Sequence, residues 1–195
     1  MIPYYTDDYV TLYHGDCREL LPSIEADVVV TDPPYGIGTH GMRLGNRVGT
    51  PLLRFDDVAP DIEPLLAWPC IIWGGNYFPL PVSRAWLVWN KRRGLSFAEA
   101  ELAWTNLDQP VRAITVDENG GTMHDRSHPT QKPLRVMVWC LGFTSGTVLD
   151  PFAGSGSTLV AAKSLNRKAI GIEIEERYCE VAANRLRQEV LGLAG

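Results

Sequence analysis

The sequence predicts a single α/β domain in which a mostly parallel sheet carries helices on both faces. Short runs of β-branched and aliphatic residues alternate with stretches of helical spacing along most of the chain. Runs such as Val28-Val29-Val30 and Ile71-Ile72-Trp73 are apolar at every position, the pattern of strands covered on both sides. Most such runs give way to glycine or a polar residue, as expected where strands feed loops.

The elements follow in order. Residues 11–13 read as a short strand, 18–24 as a helix and 27–30 as a buried strand. Residues 61–68 read as a helix, and 71–73 and 86–89 as strands. Residues 101–104 and 111–116 look like an antiparallel pair at the sheet edge, joined by a turn over 106–110. Pro133 opens a helix with Leu134, Met137, Val138 and Leu141 on one face. Residues 147–149 then form a strand, 159–165 a helix, 169–174 a strand and 175–191 a long helix. Two segments lack any period. Residues 36–57 hold five glycines with His40, Arg43, Arg47 and Arg54, a composition that favours a mobile, functional loop. Residues 117–127 are short and polar.

A chain of 195 residues is long enough to bury a full sheet in one domain, so residues 1–195 are expected to form one unit. No apolar run reaches the roughly 20 residues that span a bilayer, and the start lacks a signal-like pattern. The expectation is a cytoplasmic protein with no membrane partner. Cys17, Cys70, Cys140 and Cys179 are scattered without a paired spacing, so no metal site is expected and the thiols are expected to stay reduced. A net charge of −5 repels phosphate backbones, which restricts any nucleic-acid contact to a local basic patch. Lys91, Arg92 and Arg93 form the best such run.

Two loops carry chemistry. Asp150-Pro151-Phe152-Ala153-Gly154-Ser155-Gly156 follows a buried strand and precedes a helix, with glycines that let a ligand approach the backbone. The position of a third glycine is Leu159, which argues against a nicotinamide or flavin site. Glu173 lies 19 residues beyond Gly154 at the end of the next strand, near the spacing at which a carboxylate reaches ribose hydroxyls. That pair reads as a site for a nucleoside-bearing cofactor. The earlier loop, Asp32-Pro33-Pro34-Tyr35, sets a carboxylate, carbonyls outside the sheet and an aromatic ring side by side. Such a group can clamp a planar, amino-bearing ring.

With these loops in this order, the chain resembles the beta class of DNA amino-methyltransferases. His14-Gly15-Asp16-Cys17, Trp73-Gly74-Gly75-Asn76-Tyr77-Phe78, Val88-Trp89-Asn90-Lys91 and His128-Pro129-Thr130-Gln131-Lys132-Pro133 fall in the family's sequence, and the likeness runs from about residue 10 to about 191. Compact members from phages and prophages are the most similar kind. The resemblance implies the S-adenosylmethionine-dependent methyltransferase fold, Rossmann-like, with seven strands, one of them reversed, and the base-clamp half before the cofactor-loop half. It implies S-adenosylmethionine as cofactor and double-stranded DNA as partner. Asp150, Pro151, Phe152, Ala153, Gly154, Ser155 and Gly156 would surround the methionine portion, Glu173 the ribose, and Asp16 with Cys17 the adenine. Thr130 and Lys132 would face the cofactor's carboxylate. Asp32, counted with both cofactor and catalysis, would act with Pro33, Pro34 and Tyr35 on a base flipped out of the duplex.

The expected reaction is methylation of adenine N6 in DNA. The alternatives are cytosine N4 methylation and a non-catalytic binder of cofactor or DNA. A protein glutamine methyltransferase fits less well, because its clamp begins with Asn and follows the glycine loop. The stretch between Lys91 and His128 is short for a recognition region, taken as about 92–127, which leaves room for a homodimer to share the task.

Overall fold

Strand β3 (Val28–Thr31) is buried at all four positions, and β4 (Cys70–Trp73) likewise. Each is therefore covered from both sides, as an unbroken apolar run requires. They sit near the middle of a mixed sheet in a computed structural model that describes residues 1–37, 58–91, 98–117 and 132–188. The other strands are β1 (Tyr5–Thr6), β2 (Val10–His14), β5 (Trp86–Asn90), β6 (Ala100–Thr105), β7 (Arg112–Thr115), β8 (Val148–Asp150) and β9 (Ala169–Glu173). Among the described residues the order is β1-β2-β9-β8-β3-β4-β6-β5-β7, nine strands where the family resemblance implied seven. Strands β1 and β6 run against the rest.

The two faces are clothed unequally. Helices α2 (Leu134–Leu141), α3 (Ser157–Ser164) and α4 (Glu176–Arg187) share one core with Leu12, Val28, Val30, Ile71 and Leu87. The opposite face packs Val29, Cys70, Ile72, Leu149 and Ile172 against Ile24, Leu65 and the partly buried Leu20. Among the described residues its cover is short: helix α1 (Cys17–Leu20) and 3-10 turns over Leu21–Ser23 and Glu63–Ala67. The expected helices over 18–24 and 61–68 shrink to these because Pro22 and Pro64 remove backbone donors, and Pro69 closes the second.

The expected edge hairpin is rearranged. Strand β5 lies between β6 and β7, antiparallel to the first and parallel to the second, so β6 and β7 are not neighbours. The Asn106 side chain accepts from the Cys70 N–H at 2.7 Å and donates to the Trp68 carbonyl at 2.8 Å. That anchor ties the end of β6 towards β4, and the chain crosses β5 before pairing again. Most of the glycine-rich loop, residues 38–57, lies outside the described residues, as do 92–97, 118–131 and 189–195. Strands β6 and β7 both fall within the stretch assigned from sequence to recognition.

Gly75 shows how tightly β4 and β6 approach. A Cβ there would lie 2.4 Å from the Trp104 Cβ and 3.0 Å from its backbone nitrogen. Neither atom can step aside without moving the strand. Gly75→Ala is expected to cost about 1–3 kcal/mol of stability, read as a lowered urea midpoint at unchanged slope.

Candidate active site

Strands β8 and β3 are hydrogen-bonded neighbours, yet the chain leaves them in opposite directions along the sheet. After β8 it passes through α3 to β9, and after β3 it runs to β4 on the other side. Such a switch point opens a crevice beyond the strand ends, where α/β sheets bind ligands. The carboxylates predicted from sequence line this edge in the order of the sheet: Asp16 beyond β2, Glu173 ending β9, Asp150 ending β8 and Asp32 beyond β3.

The two loops are tied together directly. The Thr31 hydroxyl donates to Asp150 Oδ1 at 2.7 Å, and the Phe152 N–H reaches the same oxygen at 3.2 Å. Asp150 is almost wholly buried. Burial pushes its pKa up to about 6, against hydrogen bonds from Thr158, Thr31 and Phe152 that favour the charge.

The glycine loop is braced from within. Gly154 N–H donates to Glu173 Oε2 at 2.7 Å, Gly156 N–H to the Ala153 carbonyl at 2.8 Å, and Ala153 N–H to the Ile172 carbonyl at 2.9 Å. These donors, expected from the sequence to be open to a ligand, are spent on holding the loop's shape. Both glycines are left-handed, with φ of 51° and 79°. Among the described residues, a Cβ on Gly154 would meet nothing nearer than the Phe152 carbonyl at 4.0 Å, which leaves space above it on their side. At Gly156 it would press on Ala182 at 2.9 Å, because α3 starts hard against α4. Arg185 secures the same turn by donating to the Ser155 carbonyl at 2.6 Å. Pro151 and Ala153 are buried, and Phe152 is half-buried against the second core.

Glu173 has a structural task that its sequence position did not reveal. Its second oxygen accepts the Glu175 N–H at 2.8 Å, so the carboxylate bridges the glycine loop and the turn into α4. Burial raises its pKa despite those bonds. Each oxygen keeps acceptor capacity for a hydroxyl. Asp16 caps α1, accepting from the Arg18 N–H at 2.9 Å and pairing with its guanidinium. Cys17 beside it is half-buried.

At the clamp, Tyr35 donates to Asp32 Oδ1 at 2.5 Å. Lys132 donates to Asp32 Oδ2 at 2.6 Å and lies 3.2 Å from the Tyr35 hydroxyl. Lys132 is buried, and its other neighbour is Glu101 at 2.9 Å. Burial opposes the ammonium charge, but Asp32, Tyr35 and Glu101 together hold its pKa well above the ordinary lysine value. Burial also pushes the Tyr35 phenol well up. Glu101 in turn pairs with Lys91, whose ammonium also lies 5.0 Å from the Trp89 ring centroid. Thus Lys132 stands between two protein carboxylates, and Lys91 turns towards the clamp wall. Thr130, Arg92 and Arg93 lie outside the described residues.

The Tyr35 ring is itself packed. It stacks on Tyr77 at 5.0 Å between centroids and meets Phe78 edge-on at 6.4 Å. A Cβ on Gly74, left-handed at φ 67°, would fall 2.1 Å from it. Pro33 is buried and Pro34 half-buried beneath this group. Glu101, Tyr77 and Thr31 were not singled out from sequence as members of the site. Only Tyr77 had a visible signal, as an aromatic beside the glycine pair.

The comparisons agree with this geometry. A family model described as DNA methylase, of the N6/N4 type, matches residues 81–184, more than half of the chain. The chain belongs to the N4/N6 DNA methylase family. A type II methyltransferase, M.ScaI of Streptomyces caespitosus, is 25% identical over an alignment covering 98% of this methylase and 86% of the relative. Type II methyltransferase M2.DpnII of Streptococcus pneumoniae is 45% identical over 65 residues, 32% of this chain and 24% of that one. Among solved structures, the cytosine-N4-specific PvuII DNA methyltransferase superposes with a TM-score of 0.64 at 19% identity, covering 97% of this chain and 90% of its own. The M1.HpyAVI complex with SAM gives 0.58 at 22%, covering 91% and 99%. At such identities the structures attest the fold.

The pKa of Asp150 makes a prediction for this methylase. A carboxyl whose folded pKa is raised binds its proton more tightly in the folded state, so its contribution favours folding below about pH 4 and is lost as pH climbs through about 6. Asp150→Asn cannot ionise. It should exceed wild type in stability at pH 8 by up to about 2–3 kcal/mol. The gap should close towards pH 4 in thermal unfolding across pH; a gap independent of pH would mean that Asp150 is not the group responsible.

Proposed function

We propose that this methylase transfers the methyl group of S-adenosylmethionine to N6 of adenine in double-stranded DNA, with the base flipped into the Asp32 clamp. The observation that carries the reading is the meeting of clamp and glycine loop at one switch point, joined by the Thr31 to Asp150 hydrogen bond. Methylation of an amino group needs donor and acceptor sites within bonding reach of each other, and adjacent strand ends supply that.

The residues present fit the cofactor. Open space over Gly154, a carboxylate at Glu173 with acceptor capacity beside it, and a buried carboxyl at Asp150 suit a molecule with a ribose and an amino-acid end. When bound, it would supply an electrophilic methyl on a sulfonium, the carbon–sulfur bond pair staying on sulfur as the amino lone pair bonds the methyl, and the nitrogen then losing one N–H proton to water. Glu173 would accept the ribose hydroxyls, and Asp150 with the 151–156 loop would line the methionine end. Asp16 and Cys17, beyond β2, would border the adenine; Thr130, outside the described residues, would face the methionine carboxylate. Asp32 would accept one N–H of the target amino group and the Pro33 carbonyl the other, which favours a pyramidal nitrogen and disperses its growing positive charge. The half-exposed Tyr77 would offer aromatic surface to the base, with the packed Tyr35 ring, expected from sequence to stack on the base itself, behind it. Arg92 and Arg93 would meet the DNA backbone, whereas Lys91, expected from sequence to join them, is turned inward to Glu101; a second copy of the chain would extend that surface.

Cytosine N4 methylation is the second reading, favoured by likeness to a cytosine-N4-specific enzyme. Adenine is preferred because the clamp begins with Asp, commoner among the adenine enzymes of the resembling class. Nucleoside analysis of DNA from cells expressing the protein decides between them. N6-methyladenine that vanishes with Asp32→Ala is expected, and N4-methylcytosine alone would overturn the choice of base.

The division of labour between the loops is testable too. Asp32→Asn should lower the transfer rate about 100-fold or more while cofactor affinity stays within a few-fold. Glu173→Gln should weaken the cofactor roughly 10-fold to 100-fold, the worth of a charge-assisted hydrogen bond. Calorimetry showing equal losses for both variants would refute this.

A further inference from the structure

Among the described residues, four charges of alternating sign run through the clamp wall: Lys91, Glu101, Lys132 and Asp32. They come from four separate stretches of chain, brought together only by the fold. Lys132 is the member in question, because its ammonium sits 2.6 Å from the carboxylate that the amino group must use. Paired with Asp32 alone, it would neutralise the negative charge set against the alkylating nitrogen. Glu101, on the reversed strand β6 between β4 and β5, stands on the other side of Lys132 at 2.9 Å.

We propose that Glu101 is a positioning residue of the clamp, which shares the Lys132 ammonium and so leaves Asp32 with negative charge for the transition state. This rests on the amino-methylation reading. The set of four is neutral with Glu101 ionised, and Asp32 is its terminal member on the clamp side. Without the Glu101 charge, two ammonium groups face one carboxylate and the wall carries a net positive charge towards a nitrogen that is itself becoming positive. An amino group is uncharged in the ground state, so the loss falls on the transition state and spares base binding. Lys132 and Lys91 hold the Glu101 carboxyl below its usual range although burial opposes the charge, so the residue is ionised at working pH.

The test compares Glu101→Gln and Glu101→Asp with wild type in single-turnover methyl transfer, in equilibrium binding of cofactor and of DNA, and in thermal unfolding. Glu101→Gln should lower the transfer rate about 10-fold to 100-fold while both dissociation constants stay within about threefold. Glu101→Asp, which keeps the charge, should recover most of the rate. An unchanged rate in Glu101→Gln overturns the proposal. So does a parallel loss of cofactor binding, which would assign Glu101 to the cofactor. If Glu101→Gln unfolds early, the Asp variant still decides: a stable Glu101→Asp whose rate falls about 10-fold or more below wild type refutes a role for the charge. A wild type that methylates no base in DNA would sink the amino-methylation reading and this inference together, a result distinct from an active wild type indifferent to Glu101.

Discussion

The parallel pairing of β3 with β8 is the constraint on which the site depends. Val28 pairs with Val148 and Val29 with Leu149, residues about 120 apart in the chain. Pairing so distant carries a loop-closure cost that only a well-buried interface offsets. All three residues of β8 and all four of β3 are buried, so the pair supplies that interface. Its register also places Asp32 and Asp150 one strand apart, and a slip of one residue would turn their neighbours to the wrong face.

From that pairing the site's electrostatics follow. Asp150 loses water and is pushed towards neutrality, whereas Asp32 at the next strand end is met by Lys132. Neighbouring carboxylates thus receive opposite treatment: one is desolvated with hydroxyl and amide donors, the other held against a cation. An enzyme that handles a cationic donor and an uncharged acceptor within a few ångströms benefits from such separation. The orientation of Lys132 in turn depends on β6 running between β4 and β5, since this reversed strand carries Glu101.

Glycines mark where backbone had to come close. Gly74 admits the Tyr35 ring, Gly75 the Trp104 backbone, and Gly156 the flank of α4. Two of the three are also left-handed, so substitution there meets strain as well as crowding. Their positions explain how this N4/N6 DNA methylase brings the 32–35 and 150–156 loops to one edge of a single sheet.

The sequence by itself determined the α/β class, the central strands, both loops and the family. Those features are local: a strand buried on two faces shows as an apolar run, and Asp32 to Tyr35 or Asp150 to Gly156 are contiguous. The short cover on the second face was misjudged, because apolar spacing over 18–24 and 61–68 outweighed Pro22 and Pro64. Only tertiary structure decided that β5 separates β6 from β7, since pairing partners are chosen by burial and by anchors such as Asn106 across distant segments. It alone joined Glu101 to Lys132, 31 residues on, and both to Asp32. A lone glutamate in a half-buried strand has no sequence signature, because its meaning lies in the charges that folding brings within 3 Å of it.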